Sequence, residues 1–129
     1  MAEIVYAAEM RGAGAPIEGR EGVIGAATSG VGPGGVDIAF KSEVVMSEDG
    51  FTETGTITHA GRGSVNFDTV GIGKMGPSPV DGVMHGTIMW NVTGGDGEFA
   101  GATGLITSNF TFSEQGDVID NQYARIYTA

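Results

Sequence analysis

Cysteine is absent from this 129-residue chain, which excludes disulfides, thiolate metal sites and a cysteine nucleophile. Stability must then come from packing, and the composition suits a reducing compartment. Positive charge is also scarce, with six Lys and Arg against sixteen Asp and Glu. The formal charge of −10 repels phosphate backbones and anionic lipid surfaces, so neither nucleic acid nor a membrane is an expected partner. No apolar run approaches the ~18 residues of a membrane-spanning helix. The opening MAEIVYAAEM has no basic segment leading into a long apolar core, and the expected location is the cytoplasm. Helical periodicity is missing as well: no window of about eleven residues carries an apolar stripe at a spacing of ~3.6. The chain has no G-x-S-x-G, P-loop, H-E-x-x-H or EF-hand pattern. With only His59 and His85, a three-histidine metal site is impossible; no metal and no cofactor is expected, and both imidazoles are expected on strand surfaces.

Glycine is abundant, at 24 residues, and punctuates runs rich in Val, Ile, Thr, Phe and Tyr. This is the distribution of turns and bulges in a curved sheet. Eight strands are predicted at 2–10, 17–29, 35–46, 51–60, 62–73, 82–93, 103–113 and 117–128. Ser47-Glu48-Asp49-Gly50, Ala60-Gly61-Arg62-Gly63 and Glu114-Gln115-Gly116-Asp117 read as hairpin connections between antiparallel neighbours. Residues 74–81, with Pro77 and Pro79, read as a surface loop at one end. Eight such strands without helices predict an all-β fold: one domain over residues 1–129, an antiparallel up-and-down barrel whose closure removes exposed edges. A two-sheet sandwich is the structural alternative. Gly30-Val31-Gly32-Pro33-Gly34-Gly35 matches G-x-G-x-x-G, but lacking a following helix it reads as a hairpin loop. The sequons at Asn91 and Asn109 lie inside predicted strands.

Alternation along the last two strands places Ile106, Ser108, Phe110 and Phe112 on one face of the first. In the second, Val118, Asp120, Gln122, Ala124 and Ile126 oppose Ile119, Asn121, Tyr123, Arg125 and Tyr127. Both faces carry apolar groups, which points to a homo-oligomer. Glu9, Glu43 and Asp68 sit within apolar strands and can face either solvent or lumen. A carboxyl in an apolar lumen would have a raised pKa and exchange protons near neutrality. Tyr6, Tyr123 and Tyr127 offer hydroxyls to a ligand, the core or an interface.

The segment Thr87–Leu105, TIMWNVTGGDGEFAGATGL, resembles the late-strand signature of the allene oxide cyclase barrel family, T-G-G-x-G-x-F-x-G-x-x-G. Thr93, Gly94, Gly95, Gly97, Phe99, Gly101 and Gly104 fill it, and dirigent-type proteins carry a related pattern. These glycines would let the chain leave one strand, fold a plug across the barrel mouth anchored by Phe99, and enter the next strand. Val5-Tyr6, Glu9 and Pro16 are similar to the family's opening strand. Ala7 stands where the family has a glutamate and Glu9 where it has an asparagine. The resemblance implies a calycin-like barrel, a trimer, and a pocket for a small apolar or amphipathic molecule that is bound or guided through cyclisation or isomerisation. Glu9 is the candidate catalytic carboxylate, with Tyr6, Pro16, Asn66, Asn91 and Tyr123 as candidate substrate-binding residues. The alternative expectation is a non-enzymatic barrel filled by its own side chains, acting in assembly or partner binding.

Overall fold

The computed structural model describes residues 2–129. Nine strands run in order: β1 (Ala2–Pro16), β2 (Val23–Val31), β3 (Asp37–Met46), β4 (Phe51–His59), β5 (Gly63–Thr69), β6 (Lys74–Pro77), β7 (Val83–Gly95), β8 (Thr103–Ser113) and β9 (Asp117–Thr128). Two single 3-10 turns, Pro33–Gly35 and Gly97–Phe99, are the only helical elements among the described residues. No helix among them is long and apolar enough to cross a membrane.

All pairings are antiparallel. Neighbours run β5-β4-β3-β2-β1-β9-β8-β7, and β5 pairs with β7 to close an eight-stranded barrel. The ninth strand, β6, falls within residues 74–81, which the sequence predicts to be loop. Lys74, Met75, Gly76 and Pro77 instead pair with Thr87, Gly86, His85 and Met84. Proline is tolerated because Pro77 ends a four-residue edge strand, where its missing N–H breaks no inner ladder. β5 covers the upper part of β7 and β6 the lower, so the two form one interrupted wall. Across the interruption, Phe51 and Gly73 exchange backbone hydrogen bonds of 3.1 and 2.7 Å. A Cβ on Gly73 would collide with the Phe51 ring, so only glycine lets the wall close there.

β1 continues to Pro16, six residues past its expected end, while residues 17–22 turn rather than extend. The G-x-G-x-x-G stretch begins on the last two residues of β2, Gly30 and Val31, and continues through the β2–β3 connection.

The two barrel ends differ. At one end the β7–β8 connection folds inward and Phe99 is fully buried. It packs on His59 at a ring distance of 4.7 Å, with the Arg62 guanidinium 5.7 Å from its ring centroid. A Cβ on Gly95 would strike the Ser64 carbonyl, and Gly104 holds φ +149, so the plug requires glycine at both strand junctions. Ile38, Ile57, Val65, Ile106 and Ile126 pack around it with essentially no exposure. A stack of Phe40, Phe67 and Trp90, with centroid separations of 4.7 to 5.4 Å, fills the barrel's waist. At the other end Ile24, Val44, Met75, Phe110, Phe112 and Val118 point inward but are only half-buried. No plug covers them.

Candidate functional site

Alternation fixes what lines this open end. In β4, Phe51, Glu53, Ile57 and His59 face the interior, and Thr52, Thr54 and Thr58 face out. In β9, Asp120, Gln122, Ala124 and Ile126 face in, and Asn121, Tyr123 and Arg125 face out. Two carboxyl groups are thereby carried into the barrel interior, among core hydrophobics and the buried polar side chains of Thr28, Ser42, Ser108 and Gln122. Glu53 is 7% exposed and Asp120 is 4% exposed. Four strand-to-strand steps separate β4 from β9 in a ring of eight, so the two project from opposite walls.

Each carboxyl is held by neighbouring donors. Ser42 Oγ, from β3, donates to Glu53 Oε2 at 2.5 Å. Ser108 Oγ, from β8, donates to Asp120 Oδ1 at 2.6 Å, and Gln122 Nε2 donates to Oδ2 at 2.8 Å. Burial pushes the Glu53 pKa up to about 7; the Ser42 hydrogen bond opposes this and the Asp120 charge adds to it. Burial raises Asp120 as well, against the hydrogen bonds from Gln122 and Ser108. A carboxyl with a pKa near 7 can give or take a proton at neutral pH.

Both groups border a cavity of about 50 Å³. Its floor holds Thr28, Phe40, Ser108 and the carboxyls; its sides and rim hold phenylalanines and aliphatic residues. The volume is several times the ~10–15 Å³ that a single water centre needs. Thr28 is 6% exposed, and its Oγ1 has no hydrogen-bond partner among the described residues. Gln122 Oε1 is also unpartnered among them. Ion-holding clusters of three or more His, Cys, Asp or Glu are not found among the described residues.

The residues expected to form a site are not brought together. Glu9 lies on the outer face of β1, about half exposed, and Arg11 Nε donates to it at 2.6 Å. It cannot be the lumenal carboxylate, because Tyr6, Ala8 and Met10 take the inward positions and leave the odd-numbered residues outside. Asn66 is exposed and accepts a hydrogen bond from Thr56 Oγ1 at 3.1 Å. Asn91 and Tyr123 lie on the outer surfaces of β7 and β9, and Pro16 is exposed at the tip of β1. Glu43 and Asp68 also face solvent, Glu43 paired with Arg20.

Tyr6 alone among the candidates is interior, but it sits toward the plugged end. Its ring meets His59 edge-on at 5.7 Å, and burial pushes its pKa up to about 12. His59 is fully buried, not on a strand surface, because it shares the inward parity of Phe51 and Ile57. Burial, then the Arg62 charge, holds its pKa down to about 4, so it is neutral at pH 7.

The carboxyls that do line the interior were not singled out from the sequence. The usable signal was parity: Glu53 is in step with Phe51 and Ile57, and Asp120 with Ala124 and Ile126. No protein family, no curated protein and no solved structure matches the chain. The likeness of residues 87–105 to the cyclase barrels thus rests on those residues alone.

Proposed function

We propose that this protein binds a small amphipathic molecule at the open end of its barrel. The polar head enters the floor between Glu53 and Asp120, and the apolar body lies among the half-buried phenylalanines and aliphatic side chains of the rim. One observation carries the reading: two buried carboxyl groups from opposite walls face a cavity that packing leaves unfilled. Burying a carboxyl is unfavourable without compensation, and apolar residues would seal this end at less cost, as they do at the plugged end. Perturbed ionisable groups in a concave, mostly apolar pocket are the usual mark of a binding or reaction site.

A cyclisation or isomerisation in the same cavity would use Glu53 as its proton carrier, in place of Glu9. Binding alone asks less of the site and is the reading adopted. The filled-barrel alternative describes the plugged half of the interior and leaves the open half without a role. Self-association is a second proposal, supported by exposed Val5, Leu105, Met89 and Tyr123 on adjoining outer strands.

Binding is tested by titrating butan-1-ol into isotopically labelled protein and following NMR shifts. Thr28, Phe110 and Val118 are expected to move while Phe99 and Ile126 at the plugged end stay fixed, and Val118→Phe is expected to reduce the effect by partly filling the cavity. Shifts confined to the outer wall, or none at any attainable concentration, would remove the proposal.

A further inference from the structure

We propose that the open-end cavity is built for a protonated primary amine, its ammonium group held by the Glu53 and Asp120 carboxyls and the Thr28 hydroxyl and its apolar substituent leaving through the phenylalanine rim. This rests on the reading that the cavity binds an amphipathic molecule, and it adds the charge of the head group.

The first argument is the sign of the lining. Glu53 and Asp120 are the only titratable side chains bordering the cavity among the described residues; no Lys, Arg, His or Tyr does so. A carboxylate or phosphate head would meet two like charges with no counter-ion. The net charge of −10 reinforces that repulsion at longer range.

The second argument is hydrogen-bond supply. Ser42, Ser108 and the Gln122 amide already direct their donors at the carboxyls. The capacity that remains is mostly acceptor: Glu53 Oε1 makes no bond among the described residues, and Thr28 Oγ1 is buried and unpartnered. An ammonium group offers three donors and no acceptor, which matches two carboxyls and one hydroxyl oxygen. A neutral alcohol has one donor and would leave most of these oxygens unpaired.

The third argument concerns the walls and the space. Phe40, Phe51, Phe110 and Phe112 line the cavity, and aromatic faces attract a cation within about 6 Å of the ring centroid. A metal ion is the competing cation. It would find only two carboxyl ligands and no third His, Cys, Asp or Glu among the described residues. A volume of about 50 Å³ suits a compact ammonium head. The cation would also offset the burial of two carboxyls that otherwise lack a counter-charge.

The test compares butylammonium, butan-1-ol and butanoate by NMR titration and calorimetry at about pH 8, where an alkylamine of lysine-like pKa is still protonated. Butylammonium is expected to bind at least about tenfold more tightly than butan-1-ol, and butanoate more weakly than either. The preference should shrink as Glu53 takes up a proton below neutrality, and Glu53→Gln should reduce it by weakening butylammonium more than butan-1-ol. Thr28→Val keeps the volume and deletes an acceptor without touching charge, and it should also weaken the amine. Equal or tighter binding of butan-1-ol or butanoate overturns the ammonium inference and leaves the binding reading standing. An amine affinity unchanged in both variants overturns the inference too. If none of the three compounds moves the cavity resonances, both proposals fall together.

Discussion

Glu53 differs from Glu9 by which side of a strand it occupies, and that parity decides its chemistry. Glu9 alternates with Ala8 and Met10 and so meets water and Arg11; Glu53 alternates with Thr52 and Thr54 and so meets the lumen. The consequence is measurable as a stability profile. The folded-state pKa of about 7 lies above the ordinary 4.5, so the native protein holds this proton more tightly than the unfolded chain does. Below pH 4.5 both states are protonated and the residue imposes no ionisation penalty. As pH rises from about 4.5 to 7 the unfolded state ionises first, and folding stability falls, by roughly 3 kcal/mol in total. His59 acts in the opposite sense, losing stability as pH falls from 6.5 towards 4. The Glu53 contribution is therefore isolated as a difference from Glu53→Gln. In urea denaturation the variant should match the wild type near pH 4 and be the more stable by a few kcal/mol at pH 8. A pH-independent difference would show that Glu53 is not buried as described. Alternation at these positions was legible in the sequence. The lumenal face was not, because polar and apolar residues occur on both faces of most strands, and a strand pattern alone does not say which face is the inner one.

At the scale of elements, β3, β4, β7, β8 and β9 were legible because glycine and acidic clusters mark their hairpins; the β8 and β9 spans agree with expectation residue for residue, while β5 ends at Thr69, four residues short of the expected 73. β6 was hidden because its four residues end in proline and its partner is the lower half of a strand already paired above. The twelve-residue run from Thr93 to Gly104 shows how composition becomes structure. Its glycines adopt conformations other residues resist, and the reward is a connection that turns into the barrel and buries Phe99 against His59. Phe99→Ala should cost about 3–5 kcal/mol in chemical denaturation, the usual range for emptying a fully buried aromatic site. Butan-1-ol binding at the open end should persist in that variant under conditions where it remains folded. A loss below about 1 kcal/mol, small for any core truncation, would mean the plug is not a packed part of the core.

The whole molecule is a closed barrel sealed at one end, and its outer wall carries the remaining unexplained feature. Register places Val5 beside Arg125, Arg125 beside Leu105, and Leu105 beside Asn91; the next row sets Ala7, Tyr123, Thr107 and Met89 side by side. Val5, Leu105, Tyr123 and Met89 are all substantially exposed, so four apolar side chains on four adjoining strands surround Arg125 and Thr107 on this wall. We propose that a second copy of this chain covers it, with a trimer favoured by the cyclase-barrel resemblance. Each chain brings a charge of −10, so repulsion opposes the contact while the apolar area drives it. These terms respond differently to salt: screening weakens repulsion over a Debye length of ~10 Å at 0.1 M and leaves apolar burial intact. Sedimentation should therefore report an oligomer whose population grows as ionic strength rises. Leu105→Gln combined with Met89→Gln removes apolar area without changing charge and should return the protein to monomer across the same salt range. A wild type that stays monomeric at high concentration and high salt would show that no second copy occupies this wall. An oligomer unaffected by the double substitution would place the contact elsewhere on the barrel.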